Sequence, residues 1–236
     1  IFAEKQQEAH PSHEADRKEL ALSGAIRFTN VSFTYPETKR EILQNISFSI
    51  KSGEKIAIMG ATGSGKTTLF QLIPRLYEPD AGTIYIDEKP LTTYPLQRLR
   101  EQISLVPQKP LLFTGTIREN ITFGNKHASE AELIKAAKVA QIHETIISFP
   151  KQYDTIVGQR GVNLSGGQKQ RISIARALIR QPKIILFDDS TSALDLETER
   201  LLLDALADYR ATMLFITQKI TTAKRMDRIM LLDAGK

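Results

Sequence analysis

Residues 55–73 read KIAIMGATGSGKTTLFQLI, and the rest of the chain can be arranged around them. Ile56 to Met59 form a short apolar run, the pattern of a buried strand. The next stretch, GATGSGKTT (Gly60 to Thr68), satisfies G-x-x-x-x-G-K-[ST] at every position, with Ala61, Thr62, Ser64 and Thr68 completing the motif. Gly60, Gly63 and Gly65 permit the backbone angles that turn successive N–H groups toward phosphate oxygens. Lys66 adds a mobile positive charge for the β- and γ-phosphates, and Thr67 places a hydroxyl where Mg²⁺ would sit. The N-terminus of the helix that follows contributes its partial positive charge. Pro74 is expected to perturb that helix. A chance glycine-rich turn would not come with a strand before it and a helix after it. The pattern implies a site for a nucleoside triphosphate.

Outward from this loop, residues 1–22 are polar and without sustained periodicity, which reads as a linker or extended lead-in. From Ile26 the texture becomes alternating and β-branched: AIRFTNVSFTY and ISFSI predict antiparallel strands joined by a turn, and GTIYID and ISLVPQ predict further short strands. The span of about 109–180 reads as mostly helical. Ser129 and Glu132 make a capping box there, with Leu133, Ala137 and Ala140 on one helix face. Three more strand-like segments follow: KIILFD, TMLFITQ and RIMLLDAGK. Together these predict an α/β fold with a P-loop NTPase-like core, a mixed sheet flanked by helices. An N-terminal antiparallel β-subdomain and a helical subdomain accompany it. The chain ends just past an expected hairpin turn, so a C-terminal piece is expected beyond Lys236.

Composition bounds the partners. At 236 residues and 41% apolar the chain can bury a sizeable core. No apolar run approaches the roughly 18 residues that span a bilayer, so a soluble domain is expected. With no cysteine there is neither a disulfide nor a thiolate metal site. The net charge of +5 suits an anionic ligand, a membrane surface, nucleic acid or an ordinary solvated exterior, and does not choose among them.

Two further stretches carry chemistry. In IILFDDSTSALD (Ile184 to Asp195) a run of apolar residues leads into Asp188, placed to hold Mg²⁺ through water, with Asp189 beside it where an attacking water needs a base. In LSGGQKQR (Leu164 to Arg171) Ser165 and Gln168 form an S-x-x-Q capping pattern that puts Gly166 and Gly167 in a helix's first turn. Their unobstructed N–H groups make a second anion-facing surface. A plain capped helix would explain the serine and glutamine but not the paired glycines.

Gly60–Thr68, Gln108, Leu164–Arg171, Ile184–Asp188 and Ser192–Asp195 together resemble the nucleotide-binding domain of an ATP-binding cassette (ABC) transporter, a likeness running from about Ile26 to Lys236. LLFTGTIRENITFGN and TIVGQRGVNLSGGQ further resemble the exporter branch, in which transmembrane and nucleotide-binding domains share a polypeptide. The resemblance implies a lead-in over 1–22 following a transmembrane domain, a nucleotide-binding domain over 23–236, and a place at the cytoplasmic face of the membrane. It also implies a head-to-tail dimer in which each ATP lies between one subunit's phosphate loop and the other's LSGGQ, so that Ser165, Gly166, Gly167 and Gln168 serve the partner's nucleotide. By the same resemblance Tyr35 stacks on adenine, and Gln108 touches Mg²⁺ and water and links to the transmembrane part. Asp195 crosses the dimer interface; it also suits a helix N-cap, and both roles can hold. Nucleic-acid clamps of the same superfamily carry long coiled-coil insertions, for which the span from Gln108 to Leu164 is too short, so no nucleic-acid partner is expected.

Two departures from the family pattern concern the same step, and a minor third lies elsewhere. Asp189 stands where a glutamate usually follows the metal-binding aspartate, and Gln218 stands where a histidine usually ends the strand LFIT. Aspartate reaches roughly 1.5 Å less. Glutamine can bond a phosphate but cannot donate as an imidazolium or shuttle a proton. Gln159 replaces a further glutamate in VGQRG. The expectation is a site that binds MgATP and hydrolyses it slowly, in one half of a heterodimer whose other, non-identical half-transporter brings the complete pair. Against it stands a working Asp189 acting through a reoriented water. A non-hydrolysing ATP-gated dimerisation module is the remaining reading.

Overall fold

The computed structural model describes residues 22–37, 39–158, 161 and 163–236. Gln159 lies outside the described residues. At the centre is a five-stranded parallel sheet in the order β11-β3-β10-β9-β6. Its strands are β3 (Lys55–Met59), β6 (Ile103–Val106), β9 (Ile184–Asp188), β10 (Thr212–Ile216) and β11 (Arg228–Leu231). Strands buried on both faces need apolar residues at consecutive positions rather than at alternate ones. That is what IILF and TMLFI provide: Ile185, Phe187, Met213 and Phe215 enter one hydrophobic cluster, while Ile184, Leu186, Leu214 and Ile216 enter the other. Phe187 and Phe215 pair across β9 and β10 and stack at 4.3 Å.

The two clusters divide the remaining elements. One side holds an antiparallel sheet in the order β2-β1-β4-β5, built from β1 (Ile26–Thr34), β2 (Glu41–Ile50), β4 (Ala81–Ile86) and β5 (Lys89–Pro90), with the helices α1 (Lys66–Leu72) and α2 (Leu96–Gln102). The expected antiparallel pairing is present, but the second strand starts at Glu41, well before ISFSI, with irregular register opposite β1. Leu22, at the end of the expected lead-in, is buried in this cluster.

The other side holds α3 (Ile117–Thr122), α4 (Glu130–Val139), α5 (His143–Ile147), α6 (Gly166–Leu178) and α7 (Leu196–Ala207). The short helix α8 (Ile220–Ala223) leads into β11. The helical middle also contains a two-stranded ribbon of β7 (Gly115–Thr116) and β8 (Ile156–Val157), segments too short to leave a periodic signal. Capping boxes start α3 at Thr116, α4 at Ser129 and α6 at Ser165, each satisfying two orphan helix-end donors reciprocally. Leu133, Ala137 and Ala140 are buried, as the helical spacing predicts. Pro74 does not kink α1; the helix stops at Leu72 with Ile73 as its cap. After β11 the chain turns back at Asp233–Lys236, and Gly235 N donates to Ser64 O at 3.1 Å, bracing the glycine-rich loop from behind.

Candidate nucleotide site

In a parallel sheet, groups placed just past the carboxyl ends of neighbouring strands share one edge, and ligands bind there. Four adjacent strands do this here. The Gly60–Gly65 loop leaves β3, Gln218 follows β10, Asp188 ends β9 with Asp189 next to it, and Gln108 follows β6. They converge on a cleft of about 370 Å³ lined by Tyr35, Thr62, Gly63, Gly65, Lys66, Thr67, Thr68, Gln108, Asp188, Asp189 and Gln218. Arg40, Ile42 and Ile216 also line it. Ile216 closes β10, but nothing in the sequence around Arg40 and Ile42 marks them. They arrive because β2 begins early and runs past the loop.

The loop's shape is set by backbone that only glycine tolerates. Gly65 caps α1 at φ +101°, and a side chain there would start 2.8 Å from Leu43 Cδ2. At Gly60 a Cβ would fall 2.1 Å from Leu232 O. No side chain caps α1, so its first amides stay available to an anion. Lys66 is buried and its ammonium donates to Gly60 O at 2.9 Å, Ala61 O at 2.7 Å and Ser64 Oγ at 3.3 Å. Burial holds its pKa below the ordinary lysine value against the opposing pull of Asp188 and Asp189.

Facing it, Thr67 Oγ1 donates to Asp188 Oδ1 at 3.2 Å. Burial, and secondarily the negative charge of Asp189, push the Asp188 carboxyl above the usual range, while Thr67 and Lys66 pull it down. Gln108 Nε2 donates to Asp189 Oδ2 at 3.1 Å. The base of the Gln108 loop is tied to α6, where Gln170 Nε2 donates to Pro107 O at 3.2 Å. Gln218 is exposed at the cleft wall, but Lys219 after it is anchored. Its ammonium reaches Glu199 Oε2 at 2.8 Å, Thr191 O at 3.1 Å and Leu194 O at 3.4 Å. Gln170 sits within LSGGQKQR, but that motif does not announce its bond to Pro107, and the Lys219–Glu199 pair has no local motif that would reveal it.

Ser165, Gly166, Gly167 and Gln168 do not line this cleft. They form the N-terminal turn of α6, where Gln168 N donates to Ser165 Oγ at 3.2 Å and Ser165 N to Gln168 Oε1 at 2.9 Å. A Cβ at Gly166 would meet nothing within 4 Å, so this chain's own packing does not require glycine there. Asp195 caps α7, accepting from Thr198 N at 2.9 Å and Thr198 Oγ1 at 2.7 Å. The first of these two turns thus offers open amides away from the Lys66 cleft.

Comparison with known proteins agrees with this geometry. A family model described as "ABC transporter" matches residues 43–192. The "Uncharacterized ABC transporter ATP-binding protein YfiB" of Bacillus subtilis (strain 168) is 66% identical over 91% of this chain and 38% of its own length. The "Putative multidrug export ATP-binding/permease protein YgaD" of the same organism is 44% identical over 91% of this chain and 37% of its own. A solved structure titled "Structure of a bacterial Atm1-family ABC exporter with ATP bound" superposes with a TM-score of 0.85 at 42% identity, over 90% of this chain and 38% of that one. The chain therefore spans under two fifths of the length of these relatives. With a family model over residues 43–192, a relative 66% identical over 91% of its length and a solved exporter structure sharing its fold, the chain belongs to the ABC transporter family as an ATP-binding domain.

Proposed function

We propose that this chain is the motor domain of a membrane exporter whose own cleft holds MgATP and hydrolyses it slowly, and that it works beside a non-identical half-transporter. In this reading the amides of Gly60–Thr68 and the Lys66 ammonium bind the triphosphate, Lys66 exchanging loop carbonyls for phosphate oxygens, and Tyr35 stacks on adenine. Thr67 and Asp188, with Gln108 nearby, fit Mg²⁺: they are sparse, hard oxygen donors, and Mg²⁺ takes one or two carboxylates when phosphates and water complete its shell. Among the described residues no group of three or more His, Cys, Asp or Glu gathers to hold a metal alone, which suits an ion that comes with its phosphates. Mg²⁺ would neutralise charge on the phosphate oxygens. Asp189 would orient the attacking water and take its proton.

The slow-turnover reading rests on how Asp189 is held. Its backbone N–H donates to Ile216 O at 3.0 Å, its carbonyl accepts Ser192 Oγ at 2.7 Å, and its φ is +45°. Clamped between β10 and the following turn, the backbone cannot advance to restore the roughly 1.5 Å of reach that the shorter side chain gives up. A misplacement near 1 Å costs on the order of 10²-fold in rate. Gln218, neutral at every pH, does not make up the loss. The binding groups are untouched by either change.

The open surface at Gly166 favours a head-to-tail dimer in which Ser165–Gln168 complete the partner's ATP site. Leu111, Phe113 and Phe123 are exposed just downstream of the Gln108 loop and around Arg176, an apolar surface suited to the transmembrane part of the same polypeptide at the cytoplasmic face of the membrane. The test is steady-state ATPase of the chain against Asp189→Glu/Gln218→His, alone and in mixed dimers. We expect slow turnover for the native chain, a gain of at least tenfold for the double variant, and stimulation in the mixture. Equal rates for the two proteins, with dimerisation verified, would remove the impaired-site reading. No stimulation in the mixture would favour a non-hydrolysing clamp.

A further inference from the structure

Tyr35 lies just past the end of β1, and its ring is fixed on more than one side. Phe33 meets it edge-on at 5.0 Å and 84°, and Tyr77 at 5.3 Å and 90°. Its hydroxyl donates to Gln71 Oε1 at 2.7 Å. A phenol has one proton, so the 3.1 Å contact with Thr68 Oγ1 is one in which Thr68 donates. Thr68 and Gln71 are three residues apart on α1 and therefore share a face, and the same helix begins with Lys66 and Thr67 in the phosphate cleft. One rigid helix thus carries both the phosphate-facing residues and the acceptor that orients the aromatic ring.

We propose that Gln71 is a positioning residue for nucleotide recognition, setting the plane of Tyr35 for a purine base before the nucleotide arrives. The proposal deepens the stacking role given to Tyr35 above and rests on it. A ring already held in one rotamer loses less freedom when a base stacks on it, and that saving appears as affinity. Without the Gln71 acceptor the hydroxyl keeps only Thr68 among these two partners, and the ring gains freedom about its Cα–Cβ bond. The effect should be confined to ligands that carry a base. An inorganic triphosphate uses Lys66 and the loop amides but never touches Tyr35.

The experiment is calorimetric titration of the chain with MgATP and with magnesium tripolyphosphate. Gln71→Leu should weaken MgATP about three- to tenfold, the range of one net hydrogen bond, and leave tripolyphosphate unchanged. Gln71→Glu keeps an acceptor at the same reach and should stay within about twofold of the native protein. In a Tyr35→Phe background Gln71→Leu should cost nothing further. Equal losses for both ligands would make Gln71 a merely structural part of α1 and overturn the proposal, as would additive losses in the double variant. Tyr35→Ala separates the two levels. If it leaves MgATP affinity intact, the stacking role falls and this inference with it. If it weakens MgATP while Gln71→Leu does not, the inference alone falls.

Discussion

Lys219→Met tests whether the turn after β10 is held by a buried charge. Glu199 on α7 is only 3% exposed, and its carboxylate is satisfied by the Lys219 ammonium at 2.8 Å on one oxygen and by Thr222 Oγ1 at 2.8 Å on the other. Methionine matches lysine in bulk but leaves that carboxylate one hydroxyl donor and no countercharge. Removing one partner of a buried pair costs about 3–5 kcal/mol. The Lys219 side chain is 27% exposed, so water can reach its end of the pair and the low end applies, about 3 kcal/mol. In a domain of this size each kcal/mol moves Tm by about 2–4 °C, so a fall of about 6–12 °C is expected by calorimetry or circular dichroism. Adding Glu199→Leu removes the stranded carboxylate and should recover most of the loss. A Tm within about 1 °C of native for Lys219→Met, or a double variant less stable than the single one, would refute the reasoning. The same ammonium bonds the carbonyls of Thr191 and Leu194, so its loss also frees the Ser192–Asp195 turn from the Gln218 turn.

Burial, and secondarily the nearby negative charge of Glu130, push the Tyr153 phenol up to about 12. The fold therefore favours the neutral form: this contribution to stability is complete below pH 10 and declines as the unfolded chain ionises between pH 10 and 12. Urea unfolding between pH 9 and 12 should show that decline, and Tyr153→Phe should flatten it; an unchanged slope would count against the assignment. Gly60→Ala drives a Cβ to 2.1 Å from Leu232 O and should destabilise the chain and weaken MgATP binding. Gly166→Ala meets nothing and should leave Tm unchanged or slightly raised while slowing the partner's site in a mixed dimer. Similar Tm losses for the two alanine variants would contradict the contrast.

What could be read from the sequence was local. The phosphate loop, the capping boxes at Ser129 and Ser165 and the buried strands are written within a few consecutive residues, because each rests on bonds or periodicities of that range. Contacts between distant segments left no such trace. Gln108 meets Asp189, Thr67 meets Asp188 and Tyr35 meets Gln71 only because the sheet order β3-β10-β9-β6 and the early start of β2 bring their segments together. The capping box of Thr116 and Glu119, which starts α3, is likewise a local signal of four residues.

This division between local and distant determinants also underlies the proposed reading, in which one cleft keeps its grip and loses its chemistry. In that reading binding depends on backbone amides and one lysine carried by the β3–α1 turn, a single continuous segment whose shape Gly60 and Gly65 enforce. Hydrolysis would depend on side chains delivered separately after β6, β9 and β10, and would succeed only when their tips meet at one point. Shortening one tip at Asp189, where Ile216 and Ser192 fix the backbone, leaves the cradle intact and moves only the carboxylate. In the proposed reading, a domain built this way retains ATP as a dimer contact while its own hydrolysis is slow, and its α6 turn serves the opposite nucleotide.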